Sequence, residues 1–213
     1  MSRPRVLIAD DHKIVVEGLK RLLDPEFDVV GAVEDGRELL KAAEKLRPDV
    51  IVADISMPSL NGIEAVRQIK KVHEEMKVVF LTMHPDVAYG ARAFEAGASG
   101  YVLKHSAPDE LVTAIRESLQ GRTYVTPLIA GKLLQSYKEG TYRQADTLSV
   151  LSSRQREVLQ LLAEGYAVKE VAAILGVSQK TVEFHKYRMM EILGLKTLAE
   201  LFRYAVKQGI TVP

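Results

Sequence analysis

The chain has 213 residues, more than the roughly 100 to 150 of a common single domain, so two cores are expected. At 47% hydrophobic and 27% charged residues it is ordinary globular material, and no apolar run approaches the roughly 20 residues that cross a bilayer, so a cytoplasmic protein with no membrane partner is expected. The absence of cysteine excludes disulfides, thiolate metal sites and cysteine nucleophiles, and the formal net charge of +1 is uneven: residues 149–213 hold nine Lys and Arg against six Asp and Glu, which favours that end for a polyanion.

Along the first 120 residues, short Val-, Ile- and Leu-rich runs alternate with amphipathic stretches, the pattern of a parallel sheet with helices on both faces. Five strands are expected, at 5–9, 27–32, 50–53, 77–81 and 100–103. Helices are expected at 13–23, 37–46, 62–72, 87–96 and 108–120. From 122 to 147 the alternation stops, leaving a linker with one possible helix over 128–137. Four further helices follow with no strand between them, at 153–163, 169–175, 179–193 and 197–207. Ser152 and Gln155 form a capping-box signature. In "LGVS", Gly176 suits a left-handed helix end and Ser178 the next cap. The fold class is therefore α/β, a flavodoxin-like (βα)5 unit over 1–121, then a linker over 122–148 and a small all-α unit of four helices over 149–213.

In an open parallel sheet, ligands bind beyond the carboxyl ends of the strands. Here the first strand ends in Asp10 and Asp11, the third in Asp54, the fourth in Thr82 and the fifth in Lys104. A flavodoxin-like strand order brings these groups together. Crowded carboxylates suit a hard divalent cation, and Mg²⁺ prefers oxygen ligands shared with water and phosphate. Asp11 and Asp54 are candidates for direct ligation, Asp10 for ligation through water, and the Ser56 main-chain carbonyl for a further oxygen. Asp54 is then placed to attack a phosphoryl donor and form an aspartyl phosphate. The Lys104 ammonium and Thr82 hydroxyl would meet the charge on the phosphoryl oxygens.

The segments "LIADDH", "VIVADISMPSLNG", "VVFLTM" and "GASGYVLK" resemble the response-regulator receiver family over its whole length. The resemblance implies Asp54 as phosphoacceptor, Asp10 and Asp11 as metal-site residues, and Thr82 and Lys104 as phosphate partners. It also implies Tyr101 as the aromatic switch that follows Thr82, although a core tyrosine is an equal reading of that position. Lys104-His105 departs from the Lys-Pro of many receivers. Ser56 and His84, two residues beyond the acceptor and the threonine, stand where the family sets aspartyl-phosphate lifetime.

The segment "LSSRQREVLQLLAEGYAVKEVAAILGVSQKTVEFHKYRMMEILGL" resembles the LuxR-type helix-turn-helix, and both halves together resemble the NarL/FixJ class. Val171, Ala172 and Leu175 give one helix an apolar face, as Val182, Met189 and Leu193 do the next. On that second helix Lys180, Glu183, Phe184 and Tyr187 are left facing outward, as candidates for reading bases in the major groove. Lys169, Lys186 and Arg188 are candidates for phosphate contacts. Leu198, Leu201, Phe202 and Ala205 on the last helix suit both core and, by the resemblance, a dimer contact.

The implied function is a transcription-regulating switch rather than an enzyme: a sensor histidine kinase phosphorylates Asp54, and a homodimer forms when the protein is phosphorylated or on double-stranded DNA. Two alternatives stay open, an adaptor that signals by protein contact and a metal-dependent phosphatase on the same sheet.

Overall fold

The computed structural model describes residues 3–138, 148 and 150–211. Six parallel strands form one sheet, β1 (Arg5–Ala9), β2 (Asp28–Val33), β3 (Val50–Ala53), β4 (Lys77–Thr82), β5 (Gly100–Leu103) and β6 (Tyr124–Val125), in the order β2-β1-β3-β4-β5-β6. Strand order reverses beside β1, and β1, β3 and β4 lie side by side, the arrangement that opens a crevice at their carboxyl ends. The connecting helices are α1 (Lys13–Leu23), α2 (Gly36–Leu46), α3 (Gly62–Val72), α4 (Val87–Glu95) and α5 (Ala107–Leu119).

The strands are uniformly apolar because both faces are buried. Along β1, Leu7 and Ala9 join the core beneath α2 and α3, while Val6 and Ile8 join the core beneath α1 and α5. Asp35, Asn61 and Asp86 accept backbone N–H bonds at the starts of α2, α3 and α4, which fixes where each helix leaves the sheet.

The sixth strand corrects the five-strand expectation. Two residues carry no periodicity, but Gly100 pairs with Tyr124 and Tyr101 with Val125 in parallel register. The possible helix at 128–137 is α6 (Pro127–Lys138), which lies against α4 and buries Ile129 completely in the sheet core. The first half of the expected linker is thus anchored to the sheet; the remainder, 139–147, lies outside the described residues.

The C-terminal helices are α7 (Ser153–Ala163), α8 (Val168–Leu175), α9 (Gln179–Leu193) and α10 (Leu198–Lys207). The capping box of Ser152 and Gln155 is present, Gly176 adopts φ +64°, and Ser178 accepts the Thr181 N–H. Val158, Leu159, Leu161, Val171, Val182, Met189, Leu201 and Ala205 form a separate core. This helical unit lies against the first through α7, whose polar residues meet α3 and the loop after β3. Among the described residues no helix is long and apolar enough to cross a membrane.

Candidate functional site

β1 and β3 end side by side, so Asp10 and Asp54 emerge next to one another. They are 1% and 5% exposed, and the Asp54 N–H donates to the Ala9 carbonyl at 2.8 Å, locking the two strand ends together. Lys104, one residue past β5, reaches across β4, and its Nζ lies 2.7 Å from both Asp54 Oδ2 and Asp10 Oδ2. Asp54 Oδ1 accepts the Ile55 N–H at 2.6 Å. Asp11 is exposed at the rim, where its Oδ1 is 2.8 Å from His12 Nδ1. One ligand atom from each of Asp10, Asp11, His12 and Asp54 can be chosen so that all lie within 4.8 Å of one another. The sequence reading did not include His12.

The electrostatics follow from burying two carboxylates with one ammonium. Burial pushes the Asp54 carboxyl above its ordinary range; Lys104 pulls it back, and the neighbouring Asp10 charge raises it again. For Lys104 burial works to lower the pKa, but the Asp54 charge and hydrogen bonds to Asp10 and Asp54 outweigh it, and the ammonium is held above its usual value. One cation therefore bridges two buried anions, with a third carboxylate at the rim. Three oxygen-donor side chains in one crevice fit a hard divalent cation.

Behind this crevice, Thr82 is the last residue of β4 and is fully buried, its hydroxyl accepting the His84 N–H at 3.2 Å. Tyr101 is also fully buried, and its hydroxyl donates to the His84 carbonyl at 2.8 Å. Ser56 Oγ stands 2.8 Å from His84 Nε2, and the His84 ring stacks on Tyr89 at 4.2 Å. Burial lowers the His84 pKa, against the opposing pull of Asp54. His84 thus touches the loop after Asp54, the threonine and the tyrosine at once.

That loop has little room. The Gly62 N–H donates to the Ile55 carbonyl at 2.8 Å, and a Cβ at 62 would lie 2.0 Å from the Asp54 carbonyl oxygen. Ser59 takes φ +64°, a left-handed conformation uncommon for a residue with a side chain.

On the second unit, α9 buries Val182 and Met189 and leaves Lys180, Glu183, Phe184 and Tyr187 exposed, the aromatics at 64% and 63%. Lys169 and Arg188 are exposed and Lys186 half-buried, with its ammonium 4.5 Å from the Tyr187 ring. Arg188 is paired with Glu191 at 2.6 Å. On α10, Leu201 and Ala205 are core, whereas Leu198 and Phe202 are exposed.

The family described as "Response regulator receiver domain" matches residues 6–116, and that described as "Bacterial regulatory proteins, luxR family" matches residues 149–205. The chain is a two-component response regulator. The regulator is 38% identical to the oxygen regulatory protein NreC of Staphylococcus epidermidis, over 97% of this chain and 98% of that one. It is 31% identical to the Salmonella typhimurium RcsB response regulator, with a TM-score of 0.66 and all of each chain covered. RcsB bound to the promoter P1flhDC in the presence of the phosphomimetic BeF3⁻ is 32% identical, with a TM-score of 0.63 over 95% of this chain and 98% of that one. These matches establish a receiver followed by a LuxR-type DNA-binding domain in a regulator of transcription.

The contacts between the two halves of the regulator were invisible to sequence reasoning. Arg156 Nε donates to Glu64 at 2.7 Å, and Gln68 Nε2 and an Arg37 Nη donate to Glu157 at 3.0 and 3.1 Å. Gln160, 1% exposed, donates from Nε2 to the Met57 carbonyl at 2.9 Å and accepts the Asn61 N–H at 2.7 Å. These side chains form a polar stripe along α7, and such a stripe reads as a solvent face until a partner is seen on it.

Proposed function

We propose that Asp54 accepts a phosphoryl group from a sensor histidine kinase and that the resulting change governs how the C-terminal domain pairs on DNA. The observation that carries the reading is Lys104 bridging Asp10 and Asp54, with Asp11 at the rim of the same crevice. Asp10, Asp11, Asp54 and the main-chain carbonyl of Ser56 are the residues that would hold Mg²⁺. Bound there, the ion would neutralise carboxylate and phosphoryl charge. The Asp54 oxygen attacks phosphorus in line as the donor's bond breaks. Lys104 and Thr82 then hold the phosphoryl oxygens, and Tyr101 follows the threonine.

In this reading residues 1–121 are the receiver, 122–148 the linker and 149–213 the DNA-binding domain. The chain takes up a phosphoryl group as a signal rather than turning over a substrate, and it works in the cytoplasm. Lys180, Glu183, Phe184 and Tyr187 would read bases while Lys169, Lys186 and Arg188 meet phosphates. A homodimer on two half-sites forms on phosphorylation or on DNA, and the exposed Leu198 and Phe202 of α10 support a contact there.

Intact-mass measurement after incubation with Mg²⁺ and acetyl phosphate, on wild type and Asp54→Ala, tests the acceptor. A phosphoryl adduct absent from the variant is expected, with phosphate-dependent enrichment of particular genomic DNA fragments. An adduct that persists in Asp54→Ala would displace the acceptor, and phosphorylation with no DNA enrichment would favour a protein-contact adaptor.

A further inference from the structure

The exposed face of α9 carries residue types that packing does not account for. With about 100° of turn per residue, Lys180 and Tyr187 lie close to one line along the helix, Glu183 on one side of it and Phe184 on the other, and all four are exposed. The opposite face is apolar, with Val182 and Met189 fully buried. The four exposed residues span about 10 Å along the axis, the length of roughly three base-pair steps.

The polar groups of this helix are not equally free. Arg188 is paired with Glu191 at 2.6 Å, and the Lys186 ammonium rests over the Tyr187 ring at 4.5 Å. Lys180 and Glu183, of opposite charge and three residues apart, are paired neither with each other nor with any other group among the described residues. Phe184 is 64% exposed, but its ring meets the His185 ring edge-on, with centroids 5.6 Å apart and planes at 68°. His185 is half-buried; burial, helped by the charge of Arg154, lowers its pKa, so an uncharged ring braces the phenylalanine near neutral pH.

A carboxylate carried into the major groove meets a polyanion and mostly acceptors, so it is tolerated only against a donor. Two bases offer one there, cytosine at N4 and adenine at N6. In an A·T pair the adenine amino group stands between two acceptors, adenine N7 and thymine O4, and one of them confronts each side of a carboxylate. In a G·C pair the cytosine amino group stands at the end of the row, with guanine O6 and N7 together on its one side. Those two acceptors are what an ammonium seeks. One G·C pair thus satisfies Glu183 through N4 and Lys180 through O6 and N7. Phe184 has neither donor nor acceptor, and the apolar group that base pairs present in the major groove is the thymine methyl.

We propose that the half-site of this regulator contains a G·C pair read jointly by Lys180 and Glu183, beside a T·A pair whose methyl packs on Phe184. This rests on α9 being the helix that enters DNA. Glu183 acts chiefly by exclusion: against any other pair its carboxylate faces acceptors or loses its donor, so it rejects wrong sites more than it strengthens the right one. A glutamine at 183 lacks the charge and suits the N6 and N7 of adenine, so Glu183→Gln moves the preference to A·T at that position alone.

The test is selection from a random double-stranded DNA pool by the full chain, incubated with Mg²⁺ and acetyl phosphate, using wild type, Glu183→Gln and Phe184→Ala. Kd measurements follow on the recovered sequence, with uracil in place of each thymine in turn. Wild type is expected to recover G·C beside T·A and to lose about fivefold or more in affinity when that G·C becomes A·T. Glu183→Gln is expected to recover A·T there and the wild-type sequence elsewhere. Uracil for the neighbouring thymine should weaken wild type about three- to fivefold, the share of one methyl group, and leave Phe184→Ala unchanged. The uracil measurement on wild type stands without any variant, so poor folding of Phe184→Ala does not blunt it.

Recovery of the same base by wild type and Glu183→Gln would overturn the joint reading of G·C, and a uracil site bound as tightly as the thymine site would overturn the role of Phe184. Salt-dependent binding from which no sequence is recovered would overturn reading by this face altogether. A wild type that binds no duplex, with or without acetyl phosphate, would instead overturn the assignment of α9 as the helix that enters DNA, and the half-site with it.

Discussion

Replacing Gly62 by alanine tests how tightly the fold holds Asp54, the proposed phosphoacceptor. The new Cβ would stand 2.0 Å from the Asp54 carbonyl oxygen, 3.0 Å from its carbon and 3.2 Å from the Ile55 Cα. Non-bonded atoms settle at roughly 3.5 Å, so the backbones must part by more than about 1 Å. All three atoms are main chain, and the Gly62 N–H is already bonded to the Ile55 carbonyl, so no flexible side-chain end can absorb the motion.

Overpacking of this kind costs about 1–3 kcal/mol, and displacing a reacting group by about 1 Å costs on the order of a hundredfold in rate. The receiver should therefore melt lower, by about 2–4 °C for each kcal/mol lost in a chain of this size, and modification by acetyl phosphate should slow by about two orders of magnitude. Thermal denaturation by circular dichroism and timed intact-mass measurement read the two effects separately. A Gly62→Ala protein that melts with wild type and accepts phosphate at the wild-type rate would refute the claim that this loop is held without slack.

Two further outcomes follow from the anchored linker and the half-buried histidine. Ile129→Ala empties a fully buried site between α6 and the sheet and should destabilise the receiver by about 2–5 kcal/mol, read from urea denaturation of wild type and variant. A surface tether would show almost no change. For His84, burial depresses the folded-state pKa below the unfolded value, so its contribution to stability is present above the unfolded value near pH 6.5 and is lost as pH falls through the folded pKa. Nitrogen chemical shifts should show the ring more than half neutral at pH 6.5, and His84→Gln should flatten the acid side of the melting profile. A ring already half-protonated at pH 6.5 would contradict the burial argument.

Much of the fold was legible because its elements are long or sharply punctuated. Val6 to Ala9 and Val50 to Ala53 are apolar without interruption, as strands covered on both faces must be. The gathering of Asp10, Asp54 and Lys104 followed from their places just past strand ends in a flavodoxin-like order. Tyr124 and Val125 escaped notice because two residues cannot display a period; their pairing depends on the free edge of β5, a fact of tertiary structure. Glu157 and Gln160 were illegible for a different reason, since water and another protein surface ask for the same residue types. His12 was not singled out in the sequence, and His84 was marked only by its place two residues beyond Thr82; their contacts with Asp11, Ser56, Thr82 and Tyr101 are set by the fold.

Anchoring β6 and α6 changes what joins the two halves of the regulator. Residues 139–147 separate Lys138 from the described Leu148, and covalent geometry limits the reach between those two to at most about 36 Å. Short connections of this kind give the joined partners a mutual effective concentration in the millimolar range. Hydrogen bonds worth roughly 1 kcal/mol each, too few to hold separate molecules together, then suffice to keep the halves engaged. The same arithmetic makes the engagement adjustable without touching either site. Each doubling of the connecting length weakens closure by only about 0.6 kcal/mol, so insertions between residues 139 and 147 are expected to lower the engagement of the halves in small steps.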